Sequence, residues 1–222
     1  MKRWLLALCL MVLPVQAEEI VSGVSQSGVS ITTNFDGASI LVYGAALRDA
    51  PAPTWPLMEV IITVEGPSTP LVIRKKDHVA GIWLNRGAVK ITAAPSFYAV
   101  ASTKPVADIL LPAEDAKYHI TIPQTIDPAA APSAEQTPYI EALQRIRQAS
   151  GSFVLAPDSV LLLRQALFRT DISLPANLVE GPYMVRIFLT RGGKWWICKK
   201  ARSTCKKQGS SEHVTASRWS SL

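Results

Sequence analysis

The chain has 222 residues, 18% of them charged and 48% hydrophobic, with a formal charge of +6. That apolar content argues against wholesale disorder, and the length suffices to bury a core without disulfides or metals. The positive charge does not point to nucleic acid, because it sits at the two ends. Residues 194–222 hold seven basic residues and one acidic, Lys2 and Arg3 add two more, and residues 18–193 hold fourteen basic against sixteen acidic. The body is therefore near neutral.

Met1-Lys2-Arg3, the apolar run Trp4–Leu13 and Val15-Gln16-Ala17 before Glu18-Glu19 read as a secretory signal peptide over residues 1–17. The run is about half the roughly 20 residues that span a bilayer. Cys9 raises a lipoprotein signal, but Leu8 stands where a small residue belongs. The expected compartment is the periplasm. Cys9 leaves with the signal, and Cys198 and Cys205 lie in the tail, so no disulfide framework holds the body.

Residues 18–122 read as a β-rich sandwich region. Val29, Ile31 and Thr33 alternate with polar neighbours ahead of Asp36-Gly37, and Ala38–Tyr43 follows, which predicts a hairpin around that pair. Leu57–Glu65 is a buried-strand candidate through Val60, Ile61, Ile62 and Val64, broken by Gly66-Pro67. Leu71–Arg74 starts another strand. Ile82-Trp83-Leu84 and Val89-Lys90-Ile91 flank an expected turn at Asn85-Arg86-Gly87, and Phe97–Ala101 reads as one more strand. Turn signals at short intervals favour a sandwich or barrel.

The prolines and alanines of residues 123–138 suggest a loop or linker. Tyr139–Ser150 reads as a helix with Ile140, Leu143 and Ile146 on one face and Gly151 as its C-cap. Asp158 is placed to N-cap a second short helix through Phe168. Tyr183, Val185, Ile187 and Leu189 then alternate along Tyr183–Thr190 after the Gly181-Pro182 turn. The segment 139–193 is expected to pack on the same domain. The predicted fold is mainly β: one or more immunoglobulin-like β-sandwich modules with one or two short helices in the C-terminal half. Trp83, Val60, Ile62, Tyr183 and Ile187 are the expected core.

No catalytic, cofactor or metal motif stands out. Gly23-Val24-Ser25-Gln26-Ser27-Gly28 is not G-x-S-x-G and has no strand–elbow–helix around it. His78 and His119 lie far apart, and zinc spacings are absent. Arg74-Lys75-Lys76 is the densest basic run of the body and a candidate anion or partner surface, although lysines on a solvated edge strand also deter aggregation. Whether Asp77, His78, His119 and Ser25 converge in a cleft decides between a hydrolase with a loop-built site and a binding module. A structural envelope protein is the third alternative.

Four stretches resemble one family: Gly28–Thr33 with Asp36–Ile40, Val79–Asn85, Pro95–Ser102, and Leu174–Asn177 with Gly181-Pro182-Tyr183. Together they are similar to the alphaproteobacterial putative transmembrane protein family (Alph_Pro_TM), of unknown function, from about Ile20 to Gly193. The resemblance implies a signal, a periplasmic domain and a C-terminal membrane helix, and the helix is expected to be missing here. It also implies an inner-membrane partner such as a permease, with membrane contact only through the missing anchor. No site residues come with it, and no cofactor.

Residues 194–222 break the composition: they hold both tail cysteines, Trp195, Trp196 and Trp219. They read as a disordered tail, with the hairpin begun by Tyr183–Thr190 lacking its second arm. Because both Trp195 and Trp196 require TGG codons, reading one base earlier yields valine or methionine, valine and aspartate, a more ordinary strand. A shifted frame is thus the expectation for this segment.

Overall fold

The computed structural model describes residues 19–25, 28–31, 37–48, 51–126 and 136–207, with backbone only for 28–31, 86, 194–198, 202 and 204–207. The signal segment 1–17, residues 127–135 of the expected linker and residues 208–222 lie outside them. In chain order the strands are β1 (Glu19–Val24), β2 (Gly28–Ile31), β3 (Ala38–Leu47), β4 (Met58–Glu65), β5 (Ser68–Val79), β6 (Ile82–Pro95), β7 (Tyr98–Ser102), β8 (Phe153–Ala156), β9 (Leu161–Leu163), β10 (Leu167–Leu174), β11 (Gly181–Arg191) and β12 (Lys194–Lys207). Helices α1 (Val106–Ile109) and α2 (Pro112–Tyr118), a 3-10 turn at Ile122–Gln124 and helix α3 (Thr137–Ala149) stand between β7 and β8. The fold is mainly β, as expected.

Two sheets face each other. One has the order β1-β3-β10-β9, the other β2-β12-β11-β4-β7-β8. Strands from both halves of the chain mix in each sheet, so segment 139–193 completes what residues 19–102 begin. Ile20, Ile40, Val42, Phe168 and Ile172 of the first sheet pack against Val60, Ile62, Val64, Tyr183, Val185, Ile187 and Leu189 of the second. A second cluster lies on the other face of the six-stranded sheet. There Ile61, Tyr98, Val100 and Phe188 meet α1, α3, the 119–126 segment and Ile91 and Ala94 of β6.

This layering explains β4. Successive side chains of a strand point to opposite faces. Val60, Ile62 and Val64 face the inter-sheet core while Ile61 faces the helical layer, so apolar residues are needed on both sides. Each fully buried isoleucine contributes about 1.5–3 kcal/mol relative to leaving it exposed. Strand β10 is buried on one face only and alternates strictly: Phe168, Thr170, Ile172 and Leu174 are buried, and Leu167, Arg169, Asp171 and Ser173 exposed.

Several expectations need correction. No second helix follows Asp158, which has φ +57; the segment forms β9, a turn with Arg164 and Gln165 at positive φ, and β10. The helices that sequence reading missed are α1 and α2. Strands β2 and β3 do not form a hairpin around Asp36-Gly37: β2 pairs with β12 in the six-stranded sheet, β3 with β1 and β10 in the other. The expected turn at Asn85-Arg86-Gly87 is instead a bulge within β6, where the register to β5 shifts and Gly87 takes φ +76. The chain reverses earlier, at Ala80-Gly81.

The tail is corrected as well. Lys194–Lys207 is a strand, antiparallel to β11 from Arg191↔Lys194 to Gly181↔Cys205, with a register shift at Leu189/Thr190. The hairpin therefore has its second arm in the residues as they stand, and 194–207 is ordered backbone. Its composition misleads because each edge needs only backbone donors and acceptors, which any non-proline residue supplies. Cys198 and Cys205 lie seven residues apart on this one strand, about 23 Å, well beyond the roughly 7 Å that a disulfide between them allows.

Candidate functional site

Three surface features qualify. The first is a cleft of about 680 Å³ between the outer face of the six-stranded sheet and the helical layer, lined among others by Glu65, Tyr118, His119, Gln124, Glu141, Gln144 and Arg186. Its wall is built by Arg186, which the alternation of β11 turns away from the inter-sheet core. The guanidinium donates through Nε to Thr63 Oγ1 (3.1 Å), through Nη1 to the Tyr118 carbonyl (2.9 Å), and through Nη2 to Tyr98 Oη and the His119 carbonyl (both 3.0 Å). It also lies over the Phe188 ring, 5.4 Å from its centroid. Tyr98 is fully buried and donates to the Ile120 carbonyl (2.7 Å). Burial pushes the Tyr98 hydroxyl up from 10.0 to about 12, Arg186 opposing and Glu65 adding to the shift. His119 caps α2 at φ 50, and its Nδ1 sits 3.0 Å from the Gln124 carbonyl. A carbonyl only accepts, so Nδ1 carries the proton. Arg186 and the Nδ1 of His119 are thus occupied in holding the 118–124 segment against the sheet.

The second feature is the outer face of the four-stranded sheet. The registers align Val21, Ala45, Leu167 and Leu163 in one row, and Gly23, Tyr43, Arg169 and Leu161 in the next. Val21, Tyr43, Leu161, Leu163 and Leu167 are all exposed large side chains, and they border a shallow groove of about 560 Å³. Tyr43 lies across Gly23, whose missing Cβ makes room for the ring. Contiguous exposed apolar surface of this kind marks interaction sites, whereas single exposed apolar residues do not.

The third is the β5–β6 hairpin, which pairs only with itself. Its base is anchored in the helical-layer core by Leu71, Ile73, Val89 and Ile91. Arg74, Lys75 and Lys76 are all exposed on β5. Among the described residues none of the three has a carboxylate partner. The expected edge-strand setting holds, since both strands are edges. Trp83, however, is 68% exposed at the far end, against the expectation of a core residue. Val60, Ile62, Tyr183 and Ile187 are buried as expected. A lone aromatic between two apolar neighbours reads as core in sequence; here a two-stranded arm carries it away from every sheet.

The four residues weighed as a catalytic set do not converge. Asp77 and His78 lie on the hairpin, where the Asp77 carboxylate accepts from the His78 amide (3.0 Å) and the His78 ring meets Trp83 edge-on at 5.0 Å. Ser25 lies at the end of β1, its hydroxyl accepting from the Leu41 amide (3.1 Å). His119 stands in the cleft on the far side of the six-stranded sheet. Among the described residues no group of three or more His, Cys, Asp or Glu side chains is placed to hold a metal. Sequence reading missed the apolar face, because Leu161, Leu163 and Leu167 align with Val21 only once β10 pairs with both β3 and β9.

A family model described as Putative transmembrane protein (Alph_Pro_TM) matches residues 19–220. The chain belongs to this family. The match runs past Gly193, where the resemblance was expected to stop, and takes in β12 and most of the residues beyond it. Among the described residues no helix is long and apolar enough to cross a membrane. No curated protein matches the chain.

Proposed function

We propose that this family member is an exported, periplasmic binding module that assists an integral inner-membrane protein, and that its two facing sheets are an immunoglobulin-like sandwich. The strand order supports the second part. Lettered A, A′, B, C, C′, D, E, F and G in chain order, β1, β2, β3, β4, β7, β9, β10, β11 and β12 give A-B-E-D in one sheet and A′-G-F-C-C′ in the other. This order resembles the immunoglobulin arrangement with an added C′ strand; β8, which pairs in parallel with C′ at the end of that sheet, lies outside it. The β5–β6 arm and the helical layer are then insertions on either side of C′.

The observation that carries the binding role is the apolar outer face of the A-B-E-D sheet. Val21, Tyr43, Leu161, Leu163 and Leu167 lie side by side in solvent, at a place where an isolated sandwich would alternate to polar residues. The cleft supports binding over hydrolysis, since its guanidinium and its imidazole Nδ1 are spent on backbone carbonyls. Leu163→Glu and Leu167→Glu change exposed positions and leave both cores intact. Co-purification of the tagged protein from membranes, read by mass spectrometry, should recover an integral membrane protein with the unaltered chain and lose it with the double variant. An unchanged set of recovered proteins removes this face from the proposal.

A further inference from the structure

We propose that the tip of the β5–β6 hairpin docks this protein directly onto an anionic lipid surface. The inference goes beyond the partner-binding role, which rests on a different face of the sandwich.

The arm is built to project. The chain reverses at Ala80 (φ 50) and Gly81 (φ 85), positive at both central positions as a two-residue type I′ turn requires. A Cβ placed on Gly81 would meet nothing within 4 Å, so the turn stands in open space. Lys75 and Gly87 are the outermost residues of the arm on the cleft it shares with Tyr139, Ala142 and Arg145 of α3. Beyond that come four residue pairs, Lys76↔Asn85 to Val79↔Ile82, about 13 Å, exposed throughout except for half-buried Val79. A wedge lying in the boundary between headgroups and acyl chains sinks about 5–10 Å, so the free length suffices.

The chemistry of the tip is graded along its axis. Its end carries three consecutive exposed apolar residues, Ile82 (58%), Trp83 (68%) and Leu84 (44%). Behind them stand Lys76, Lys75, Arg74 and, further back, Lys90, all exposed. Tryptophan at an end followed by a cationic collar is the order that a bilayer interface presents in reverse: acyl boundary, then phosphate. Asp77 is the sole acid among residues 68–95, against five basic residues, for a net +4. The rest of 18–193 holds nine basic and fifteen acidic residues, a net −6. Charge segregated in this way turns the arm toward an anionic surface and the sandwich away from it.

A protein groove is the competing occupant, and the symmetry of the arm argues against it. Strand alternation puts Ile82 and Leu84 on one face of the hairpin and Trp83 on the other. The cations are likewise divided, with Lys75 on one face and Arg74, Lys76 and Lys90 on the other, across the pairs given by the register. A groove reads one face of a hairpin. A fluid surface surrounds the tip and meets both.

The test is sedimentation of the purified chain with vesicles of phosphatidylcholine alone and of phosphatidylcholine mixed with phosphatidylglycerol. Two variants accompany it: Ile82→Ser/Trp83→Ser/Leu84→Ser, and Arg74→Gln/Lys75→Gln/Lys76→Gln. All six positions are exposed, and circular dichroism checks that the fold is kept. Binding is expected to the mixed vesicles only. Each cation removed should weaken it about fivefold, so the charge variant loses about a hundredfold, and the tip variant should lose binding as well. Failure of the unaltered chain to sediment with anionic vesicles overturns the proposal. Equal binding by the variants also overturns it and transfers the attraction to the basic residues of 194–222. Loss of a co-purifying protein by the tip variant, without vesicle binding by the unaltered chain, overturns it in favour of a protein contact. Leu163→Glu/Leu167→Glu should bind vesicles normally, which separates this outcome from that of the apolar face.

Discussion

Replacing Arg186 with methionine should cost this protein about 2–4 kcal/mol of stability. The figure comes from the groups that the guanidinium holds. It makes four hydrogen bonds, of which the one to the His119 carbonyl is solvent-exposed and is replaced by water. The other three reach Thr63 Oγ1, Tyr98 Oη and the Tyr118 carbonyl in part-buried surroundings. A hydrogen bond from a charged donor contributes about 1.5–3 kcal/mol. The simple sum overshoots, because removing the cation also relieves its partial desolvation and neighbouring bonds are not additive. Methionine keeps an apolar stem over Phe188, so little of the loss is packing. Urea denaturation measures it as a lower midpoint at unchanged slope. Arg186→Lys keeps the charge but lacks the planar fork and should fall about midway. A loss below about 1 kcal/mol for the methionine variant, the range of ordinary surface changes, would refute the view that Arg186 clamps the 118–120 segment to the sheet.

Tyr98 gives a pH prediction. Its folded-state hydroxyl titrates near 12, above its ordinary 10.0, so the stabilisation is complete below about pH 10 and is lost as pH rises through 12. The loss is about 2–3 kcal/mol, and stability measured across that window in Tyr98→Phe should fall less steeply; parallel curves for the two proteins reject the assignment. Trp83→Ala should change stability by less than about 1 kcal/mol, since the ring is on the surface, whereas Ile62→Ala, fully buried between the sheets, should cost about 2–5 kcal/mol. Reversal of that order in chemical denaturation contradicts the placement of the hairpin. N-terminal sequencing of periplasmic protein should start at Glu18, after the small residue Ala17, and a chain recovered with Met1 in place rules out the signal.

The share of the inter-sheet core carried by β4 and β11 was legible residue by residue. The unbroken run Val60–Val64 and the alternation Tyr183, Val185, Ile187, Leu189 are local patterns, and a strand's side-chain period is fixed at two wherever it lies. The family was legible too, through short stretches such as Pro95–Ser102. Helix α3 was found by its apolar face, within two residues of its start, with Ile140 and Leu143 buried but Ile146 exposed rather than packed.

What the sequence could not decide is which strand pairs with which, and which apolar residues are left outside. Asp36-Gly37 carries a hairpin signal, yet β2 and β3 enter different sheets, because the hydrogen-bonding edge of β2 is met by β12 from the other end of the chain. Ile82-Trp83-Leu84 and Ile61-Ile62 look alike in sequence. One run is buried by a sheet on one side and a helical layer on the other, while the other sits at the end of a hairpin that no element covers. The Arg186 clamp joins Thr63, Tyr98 and Tyr118 across as many as 123 residues of chain. Sequence by itself determined the periods of β4 and β11, the buried positions along them, and the family. Tertiary structure decided the sheet partners, the exposed wedge and the clamp, because burial and pairing depend on contacts between distant segments that no local pattern encodes.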